Sequence, residues 1–567
     1  MTLIGWLQAI FVFALVCACV VPLGAYMYRV FEGERTWLTP VFAPVERAVY
    51  AICRIDPERE MSWKTYAFAF MAFHVVGFAW LYLLLAFGQQ YLPLNPQHFP
   101  NLAPDLAFNT AVSFLTNTNW QFYSGESTMS YLSQMAGLAW HNWVSAGLGI
   151  CLAIALFRGI ARTTVKTLGN FWADLTRCML YVFLPICVVG SLVLVWQGIP
   201  QNFHAYTNVV SLEGFKQQIT QGPMASQEWI KDMGTNGGGF VNANSASPNE
   251  NPTPLTNLLE LFSIFLIGAA LTYTFGRMVK DTRQGWAILA AMSIIFLAMF
   301  GICYANEAAG NPIVHNLGVA GGNMEGKEVR FGVAASALFA TMTTVTSCGA
   351  VNSMHDSFTA LGGLVPLVDI QLGEIVFGGV GSGMYGMLMM VVLTVFIAGL
   401  MVGRTPEYLG KKIERKEVQL AILFFLIPPV FVLVPAAIAA VTPFGTATLN
   451  NAGPHGFSEI LYAFTSMVGN NGSAFAGIGP NPYFNLMGSV AMLFGRIGMF
   501  IPAIALAGML AGKKAVAAGP GTFETHSPIF IALLIGTIVI VGALTFFPAD
   551  ALGPIVEHLY MLQGKTF

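Results

Sequence analysis

The sequence predicts an all-α polytopic membrane protein with ten transmembrane helices, in which four helix–pore-loop–helix repeats surround one pore. Three observations support this fold class: a strongly apolar composition, ten stretches long enough to span a bilayer, and four Gly/Asn-rich clusters at nearly equal spacing. Of the 567 residues, 55% are hydrophobic and only 10% are charged, which excludes an ordinary soluble enzyme of several domains.

Ten apolar stretches reach the length of about 20 residues that a membrane-spanning helix needs. They lie near residues 4–28, 65–87, 137–157, 179–197, 256–275, 285–305, 373–402, 418–440, 484–511 and 529–547. Twenty Lys and Arg residues follow the odd-numbered spans, whereas five lie on the opposite side. Because inner loops retain cations during membrane insertion, we expect both chain termini on the outer side.

Four short clusters rich in Gly, Asn, Thr and Ser follow one another along the chain, at 116–119, 234–239, 346–349 and 468–473. All four fall on the expected outer side. If one reference position is taken in each cluster, the successive positions are 118, 112 and 123 residues apart. The reference positions are Thr118, Asn236, Cys348 and Asn471. A fixed period of this kind is typical of an internal repeat.

Each cluster is preceded by a short, partly apolar segment that we interpret as a half-helix dipping into the membrane. These segments are 108–115, 225–231, 331–344 and 457–467, and the second is the most polar. Each flanking pair of spans then makes one pore repeat, at 65–158, 179–276, 285–403 and 418–512. An N-terminal span with an inner loop (1–64) and a C-terminal span with a tail (529–567) remain outside the repeats.

The clusters suit a bare monovalent cation. Potassium filters hold such an ion with weak backbone oxygen dipoles, whereas divalent cations prefer carboxylates, and the clusters contain no Asp or Glu. We expect Gly237, Gly349 and Gly472 to supply positive φ angles that turn carbonyls inward. A single cluster would be an ordinary turn, but four in matched positions favour a pore. The outer loops also hold fifteen carboxylates, which either concentrate cations or form a solvated surface.

The seventh span, 373–402, is unusually rich in glycine around the run Glu374–Gly386. Six glycines occur within fourteen positions, at 373, 378, 379, 381, 383 and 386. Because each costs about 1 kcal/mol in a helix interior, this density predicts a break that could gate or divert an ion. Close helix packing through small residues is the alternative. Arg496 lies inside the ninth span and acts either as an electrostatic barrier or as a structurally paired residue.

No sequence pattern for consuming ATP is visible. The Gly381–Gly386 stretch matches the dinucleotide fingerprint formally, but it lies inside an apolar span without a βαβ context. Neither a Walker A sequence nor an Asp-Lys-Thr-Gly phosphorylation sequence occurs. We therefore expect no catalytic site, no bound nucleotide and no nucleic-acid partner. A membrane enzyme acting on lipids would need clustered catalytic carboxylates or His–Asp pairs, and none is convincing.

Five motifs carry a resemblance to a known family. They are Thr-Asn-Thr-Asn-Trp-Gln121, Gly-Thr-Asn-Gly-Gly-Gly-Phe240, Thr-Ser-Cys-Gly-Ala-Val-Asn352, Gly-Asn-Asn-Gly-Ser-Ala-Phe475 and Arg404-Thr-Pro-Glu-Tyr-Leu-Gly-Lys-Lys-Ile-Glu414. With these motifs the chain resembles, over essentially its full length, the potassium-binding component of bacterial Kdp-type potassium-transporting ATPases, known as KdpA. That family looks like a relative of potassium channels and of Trk/Ktr/HKT transporters.

The resemblance implies roles for individual residues. The selectivity filter would consist of Asn117, Thr118, Asn119, Thr235, Asn236, Gly237, Ser347, Cys348, Gly349, Asn470, Asn471 and Gly472. Gln121 would tune access to that filter. The glycine-rich break at Gly378, Gly379, Gly381, Gly383 and Gly386 would divert the ion sideways into an intramembrane tunnel.

The resemblance also implies partners and a location. Potassium would be the transported ion, with no covalently bound cofactor. The catalytic B component of the Kdp complex, a P-type ATPase, would hydrolyse ATP, and the small C and F components would assemble beside it. The complex would lie among the lipids of the bacterial inner membrane with both termini periplasmic. The leading alternative is a self-sufficient potassium channel or transporter of the Trk/Ktr/HKT type.

Overall fold

The computed structural model describes residues 1–373, 375–403, 405–516 and 523–565. Within these residues, ten helices are long and apolar enough to cross a membrane: Leu3–Phe31, Trp63–Gly88, Ser133–Ala161, Phe171–Trp196, Pro254–Met278, Thr282–Asn316, Ser382–Met401, Arg415–Val441, Pro482–Ala511 and Pro528–Leu562. We call them spans 1 to 10. They confirm the predicted all-α membrane fold, although span 4 begins earlier than predicted and span 7 begins later.

Four shorter helices lie between consecutive spans at the predicted half-helix positions. They are Pro104–Leu115, Met224–Met233, Gly332–Val345 and Gly453–Val468, and we call them pore helices 1 to 4. Each connects to the following span through one Gly/Asn cluster, which we call pore loops 1 to 4. Spans 2–3, 4–5, 6–7 and 8–9 therefore flank the four pore helices in order.

Differences in burial separate the central spans from the outer ones. In span 3, 94% of the most apolar window is buried, whereas the corresponding fractions in spans 1, 8 and 10 are 28%, 28% and 22%. Apolar side chains that face outward are stable against lipid tails, because the tails are as apolar as the protein interior and provide no hydrophobic driving force for burial. Span 3 is therefore part of the interior, and spans 1, 8 and 10 form the periphery.

The remaining elements are short. An amphipathic helix at Thr39–Cys53 follows span 1, and a helix at Ala360–Gln371 precedes span 7. Strands Thr207–Val210 and Lys216–Ile219 pair antiparallel in the loop after span 4, and Glu407–Tyr408 pairs with Lys411–Lys412 after span 7. Short helical turns complete the loops at Gly125–Thr128, Asn244–Ala246, His355–Ser357 and Pro443–Thr446.

Span 7 differs most from its prediction. The sequence predicted one helix over 373–402, but the spanning helix starts at Ser382, and a separate helix occupies Ala360–Gln371. The described residues between these two helices are not helical, and we call residues 372–381 the break. Hydropathy could not separate these parts because the apolar character is continuous through all of them. Glu374 and Arg404, both of which entered the sequence interpretation, lie outside the described residues.

Candidate ion site in the pore loops

The four pore loops begin with the same backbone motif. The residue after each pore helix cap adopts a left-handed conformation, at Asn117, Thr235, Ser347 and Asn470. The next amide then donates a hydrogen bond of 2.9–3.0 Å to the carbonyl five residues earlier, in the pairs Thr118–Ser113, Asn236–Lys231, Cys348–Thr343 and Asn471–Ser466. This is the Schellman arrangement that ends helices. The chain therefore reverses at the same point in all four repeats.

Hydrogen bonds join each pore loop to its neighbours in a closed ring. The donors are side chains of the loops, and the acceptors belong to the adjacent repeat. Around the ring, the bonds run from Asn117 Nδ2 to Thr235 O (2.8 Å), from Cys348 Sγ to Asn236 O (3.4 Å), from Asn471 Nδ2 to Thr343 O (3.1 Å) and from Asn470 Nδ2 to Thr118 Oγ1 (2.9 Å). The four clusters, which are far apart in sequence, thus surround one common space.

Backbone atoms of different loops approach one another across this space. A methyl group built on Gly472 would lie 1.8 Å from the carbonyl oxygen of Thr118, and one on Gly349 would lie 2.0 Å from that of Asn471. A methyl group on Gly237 would lie 2.6 Å from the same Thr118 oxygen. Only glycine fits these positions, and the oxygens of Thr118 and Asn471 therefore face the shared space.

One expectation about the glycines was wrong. Gly349 and Gly472 have the predicted positive φ angles, +85° and +89°. Gly237 does not; in loop 2 the glycine with a positive φ angle, +71°, is the next residue, Gly238. Gly237 is required for a different reason, which is the close approach of carbonyl oxygens from neighbouring loops. A sequence pattern cannot distinguish these two uses of glycine.

The asparagine side chains support the loops from behind. Asn236 Nδ2 donates to Asn117 Oδ1 at 2.7 Å, and Ser145 Oγ donates to the same oxygen at 2.6 Å. Asn119 Nδ2 donates to Asn142 Oδ1 at 2.7 Å, which ties loop 1 to span 3. All five residues are buried. Most of these amide groups are engaged with one another, so the oxygens that can face an ion are the backbone carbonyls and Asn236 Oδ1, which has no hydrogen-bond partner among the described residues.

The electrostatics of the ring favour a cation. Each pore helix ends directly at its loop, and a helix carries roughly half a negative charge at its C-terminus. Four such ends meet at the ring. The loops themselves contain no acidic residue, so the potential comes from dipoles rather than from full charges. Weak dipoles of this kind are suited to an ion that must later leave.

Pore helix 2 was the least convincing half-helix in the sequence because it is polar. The structure explains its burial through a compact charge network. Lys231 Nζ is fully buried and lies 2.7 Å from Glu228 Oε1 and 3.9 Å from Asp232 Oδ1. It also donates to Asn244 Oδ1 at 2.8 Å, and Asn244 Nδ2 in turn donates to Gly238 O in loop 2. The network thus connects this helix to its own pore loop.

The outer carboxylates include exposed ones, such as Asp105, Glu213 and Glu325, and buried ones that match neither sequence alternative. Several of them are neither solvated nor free to attract cations, because they are buried in ion pairs. Glu307 Oε2 lies 2.6 Å from Lys327 Nζ with both side chains fully buried, and Lys327 also lies 4.0 Å from the ring centre of Phe358. The spacing of 20 residues between the partners gave no signal in the sequence.

A second outer cluster holds a histidine between two carboxylates. His455 Nε2 lies 2.9 Å from Asp356 Oδ1, and His455 Nδ1 lies 2.7 Å from Glu557 Oε1. Burial alone would lower the pKa of His455, but hydrogen bonds to Asp356 and Glu557 outweigh it and raise the pKa to about 10. A protonated His455 therefore fastens pore helix 4 to the C-terminal span.

Gln121 connects the outer ends of loops 1 and 2. Its Nε2 donates to Gly239 O at 3.0 Å, and its Oε1 accepts from Gly239 N at 3.1 Å. A third bond, of 3.1 Å, joins Nε2 to the hydroxyl of Tyr123. The side chain is half-buried. Gln121 thus lies beside the ring and joins loop 1 to the backbone of Gly239 through both a donated and an accepted hydrogen bond.

The break packs directly against the ring. Val380 N donates to Thr235 Oγ1 in loop 2 at 2.8 Å, and Gly378 N donates to Val345 O at the end of pore helix 3 at 3.2 Å. The ring of Phe377 is buried and stacks on Phe265 of span 5 with 4.4 Å between centroids. The break is therefore wedged between two pore repeats.

The predicted extent of the break needs correction. Gly378, Gly379 and Gly381 belong to it, whereas Gly383 and Gly386 lie within the helix Ser382–Val402. Gly383 is needed there for packing, since a methyl group on it would lie 1.8 Å from the carbonyl oxygen of Phe377. A count of glycines could not separate those that interrupt a helix from those that let another chain segment approach.

Arg496 finds a backbone partner. It lies in a single π-helical turn of span 9, is 4% exposed, and its Nη2 donates to the carbonyl of Ser145 in span 3 at 3.0 Å. Among the described residues, it forms no ion pair with a carboxylate. A methyl group on Gly149 would lie 3.3 Å from Arg496 Nη2 and 2.4 Å from Val380 O, so this cation lies next to the break.

A comparison with protein families matches residues 10–559 to the model described as "Potassium-transporting ATPase A subunit". The chain belongs to this family. A protein of Methylobacterium nodulans called "Potassium-transporting ATPase potassium-binding subunit" is 60% identical over 568 residues, covering 100% of this chain and 99% of the relative. A protein of the same description from Mesorhizobium japonicum is 58% identical, with complete coverage of both chains.

A solved structure supports the fold independently of close sequence similarity. The crystal structure of the potassium transporter TrkH from Vibrio parahaemolyticus superimposes with a TM-score of 0.53 at 15% identity, covering 88% of this chain and 96% of that one. At this identity the likeness establishes the fold alone. The agreement extends over most of both chains, so the two proteins share the pore-loop repeat fold.

Proposed function

We propose that this chain is the potassium-binding and potassium-translocating subunit of an ATP-driven importer. The observation that carries the proposal is the closed ring of pore loops, in which the carbonyl oxygens of Thr118 and Asn471 face a space lined by glycine backbone. Two comparisons support potassium as the ion and ATP as the energy source. They are membership of the family described above and the names of relatives as potassium-binding subunits.

The ring acts as a selectivity filter through its rigidity. The candidate filter consists of Asn117–Asn119, Thr235–Gly237, Ser347–Gly349 and Asn470–Gly472. Stripping water from an alkali ion is favourable only when oxygens replace that water at a matching distance. Side-chain bonds between neighbouring loops hold the backbone oxygens at fixed positions, so an ion of different radius is coordinated less well. The helix ends supply the cation preference, and the lack of carboxylates in the loops disfavours divalent ions.

The break controls the exit from the ring. It joins loop 2 through Val380 and crosses toward spans 3 and 5, where the carbonyls of Val380 and Phe377 approach Gly149 and Gly268. Arg496, beside the same segment, places a positive charge next to any ion that passes the ring. The combination blocks a straight path through the membrane and favours a sideways exit toward a partner protein.

ATP hydrolysis belongs to another chain in this proposal. The catalytic B component, a P-type ATPase, takes up the ion that leaves the ring, and the small C and F components complete the assembly. The complex lies in the bacterial inner membrane with the pore loops and both termini on the periplasmic side, as the distribution of Lys and Arg favours.

The second candidate function is a self-sufficient channel or gradient-driven transporter, which the fold likeness to TrkH favours. Potassium or rubidium uptake into vesicles distinguishes the two. The vesicles would contain this chain alone, the chain with its ATPase partners, or the chain with partners in which the phosphorylated aspartate is replaced. We expect uptake only with active partners and ATP. Uptake by the chain alone, driven by an ion gradient, would contradict the proposal of a pump component.

A further inference from the structure

A continuous crevice runs between spans 2 and 4, with the buried span 3 as its floor. Two adjoining cavities form it, of about 850 and 670 Å³. Both are lined by Phe73, Trp140, Trp143 and Val144. The larger extends to the loop that precedes span 2, and the smaller reaches Ile230 of pore helix 2. The crevice therefore extends from one membrane surface to pore helix 2, which leads into pore loop 2.

The two ends of the crevice differ in chemistry. The inner end is polar and includes Arg54, Arg59, Ser62, Thr65 and Asn170. The far cavity is almost wholly apolar apart from His141 and Ser226, and its walls include Val76, Trp80, Met135 and Ala136. A groove with a cationic mouth and an apolar body matches a molecule with an anionic head and hydrocarbon chains.

The two arginines that line the mouth are not paired with a carboxylate of the described residues. Arg54 and Arg59 are exposed, and in the part of the chain that the structure describes neither forms an ion pair. Of the two carboxylates that line the mouth, Glu60 is already paired with a third arginine at 2.9 Å, and Asp56 accepts a hydrogen bond from a backbone amide. Glu58 is exposed and does not line the cavity. Because Arg162, which lies outside the lining, already neutralises Glu60, the two lining arginines face a single unpaired lining carboxylate, Asp56.

The mouth is also held in place. Asn170 Nδ2 donates to the carbonyls of Asp56 and Arg59 at 2.9 and 3.0 Å, which fastens the loop to the start of span 4. Met61 N donates to Gly169 O at 2.7 Å, and Leu168 N donates to Met61 O at 2.9 Å. A loop fixed by these bonds presents its arginines at a constant distance from the apolar groove.

We propose that this crevice binds one glycerophospholipid with an anionic headgroup. The phosphate pairs with Arg54 and Arg59, and the acyl chains lie along Phe73 and Trp140 toward Ile230. Each cavity falls within the range of about 300–1,000 Å³ that holds a drug-sized ligand, so two in line suit a longer amphiphile. A membrane helix of a partner protein would fill the apolar part but would leave the arginines without an anion.

Binding of defined lipids to the purified full-length chain tests this proposal. Native mass spectrometry would compare phosphatidylglycerol with phosphatidylcholine of the same acyl chains. Among the eight cysteines, Cys53 alone is exposed, and it lines the mouth, so its rate of maleimide labelling reports occupancy. We expect phosphatidylglycerol to be retained preferentially and to slow labelling of Cys53.

Two sets of variants separate the headgroup from the chains. Arg54→Gln with Arg59→Gln should weaken binding of phosphatidylglycerol by about 30-fold, since each basic residue at an anionic lipid contributes about fivefold. The Lys pair at the same positions should retain most of the affinity. Ala136→Phe, which fills the apolar cavity, should reduce binding of both lipids. Arg415→Gln with Lys416→Gln, an exposed cationic pair elsewhere, is the matched control.

Each outcome decides the proposal. Equal retention of the two lipids, or unchanged binding in the Gln pair, would overturn it. Protection of Cys53 that occurs only in an assembled complex, and not with lipid, would assign the crevice to a partner helix instead. Thermal unfolding of each variant without added lipid shows whether it has folded. If the Gln pair does not fold, the affinity of the Lys pair for phosphatidylglycerol still tests the proposal.

Discussion

Replacing Gly472 by serine tests whether the ring of pore loops discriminates between ions. The new Cβ would lie 1.8 Å from the carbonyl oxygen of Thr118, whereas such contacts are essentially never shorter than 3.0 Å. The oxygen or the loop must therefore move by more than 1 Å. Serine at φ +89° also carries backbone strain of about 1–2 kcal/mol. We expect the K⁺/Rb⁺ and K⁺/NH₄⁺ uptake ratios to fall at least about tenfold, or about 1.4 kcal/mol.

The matched control for this variant is Gly332→Ser. Gly332 lies at the start of pore helix 3 with a similar φ of +71°, but a methyl group there would meet no atom within 4 Å. The two variants share the backbone strain and differ in the collision with a carbonyl oxygen. Competition uptake in vesicles containing the assembled transporter would measure both. Discrimination that stays within about twofold of wild type in Gly472→Ser would refute the reasoning.

Three further predictions concern the surroundings of the ring. Gln121→Arg should raise the KM for potassium uptake about tenfold by placing a cation near the ring, whereas Gln121→Glu should not. Lys327→Met should destabilise the protein by about 3–5 kcal/mol in thermal unfolding, because it strands a buried carboxylate, and added Glu307→Gln should recover much of this loss. Because the pKa of His455 is raised to about 10, its contribution to stability is complete below about pH 6.5 and is lost toward pH 10. His455→Gln should flatten that decline, and equal slopes would exclude the histidine as its cause.

The membrane architecture was predictable because the bilayer imposes simple rules on sequence. A spanning helix needs a long apolar run, and polar backbone at membrane depth must be enclosed by protein. Pore helices 3 and 4 followed from their apolar character. Pore helix 2 was harder to recognise, but the spacing of Glu228 and Lys231, three residues apart, is a signal for a paired helical face that could have strengthened it.

The position of the pore loops was predictable, whereas their detailed geometry was not. Repeat spacing brought out Thr118, Asn236, Cys348 and Asn471, which occupy equivalent positions after the same helix-ending motif. The different role of Gly237 depends on how close another chain segment comes, which sequence does not encode locally. A single sequence therefore indicates where a loop lies more readily than how its carbonyls are directed.

Long-range pairing accounts for most of what sequence could not provide. The bond from Arg496 to the carbonyl of Ser145 joins spans 3 and 9, which are 351 residues apart at this contact. The pair of Glu307 and Lys327 and the bridge made by His455 also depend on how the outer loops fold over the repeats. In each case the residue was visible in the sequence, but its partner was selected by tertiary packing.

The most direct test of the central claim is to locate the ion itself. Density maps of the purified protein would be compared in potassium and in thallium, whose anomalous scattering marks a monovalent cation. We predict a peak on the axis of the ring, within coordination distance of the carbonyl oxygens of Thr118 and Asn471. Absence of a peak there at saturating ion, or a peak only beside the buried carboxylates of pore helix 2, would contradict the account.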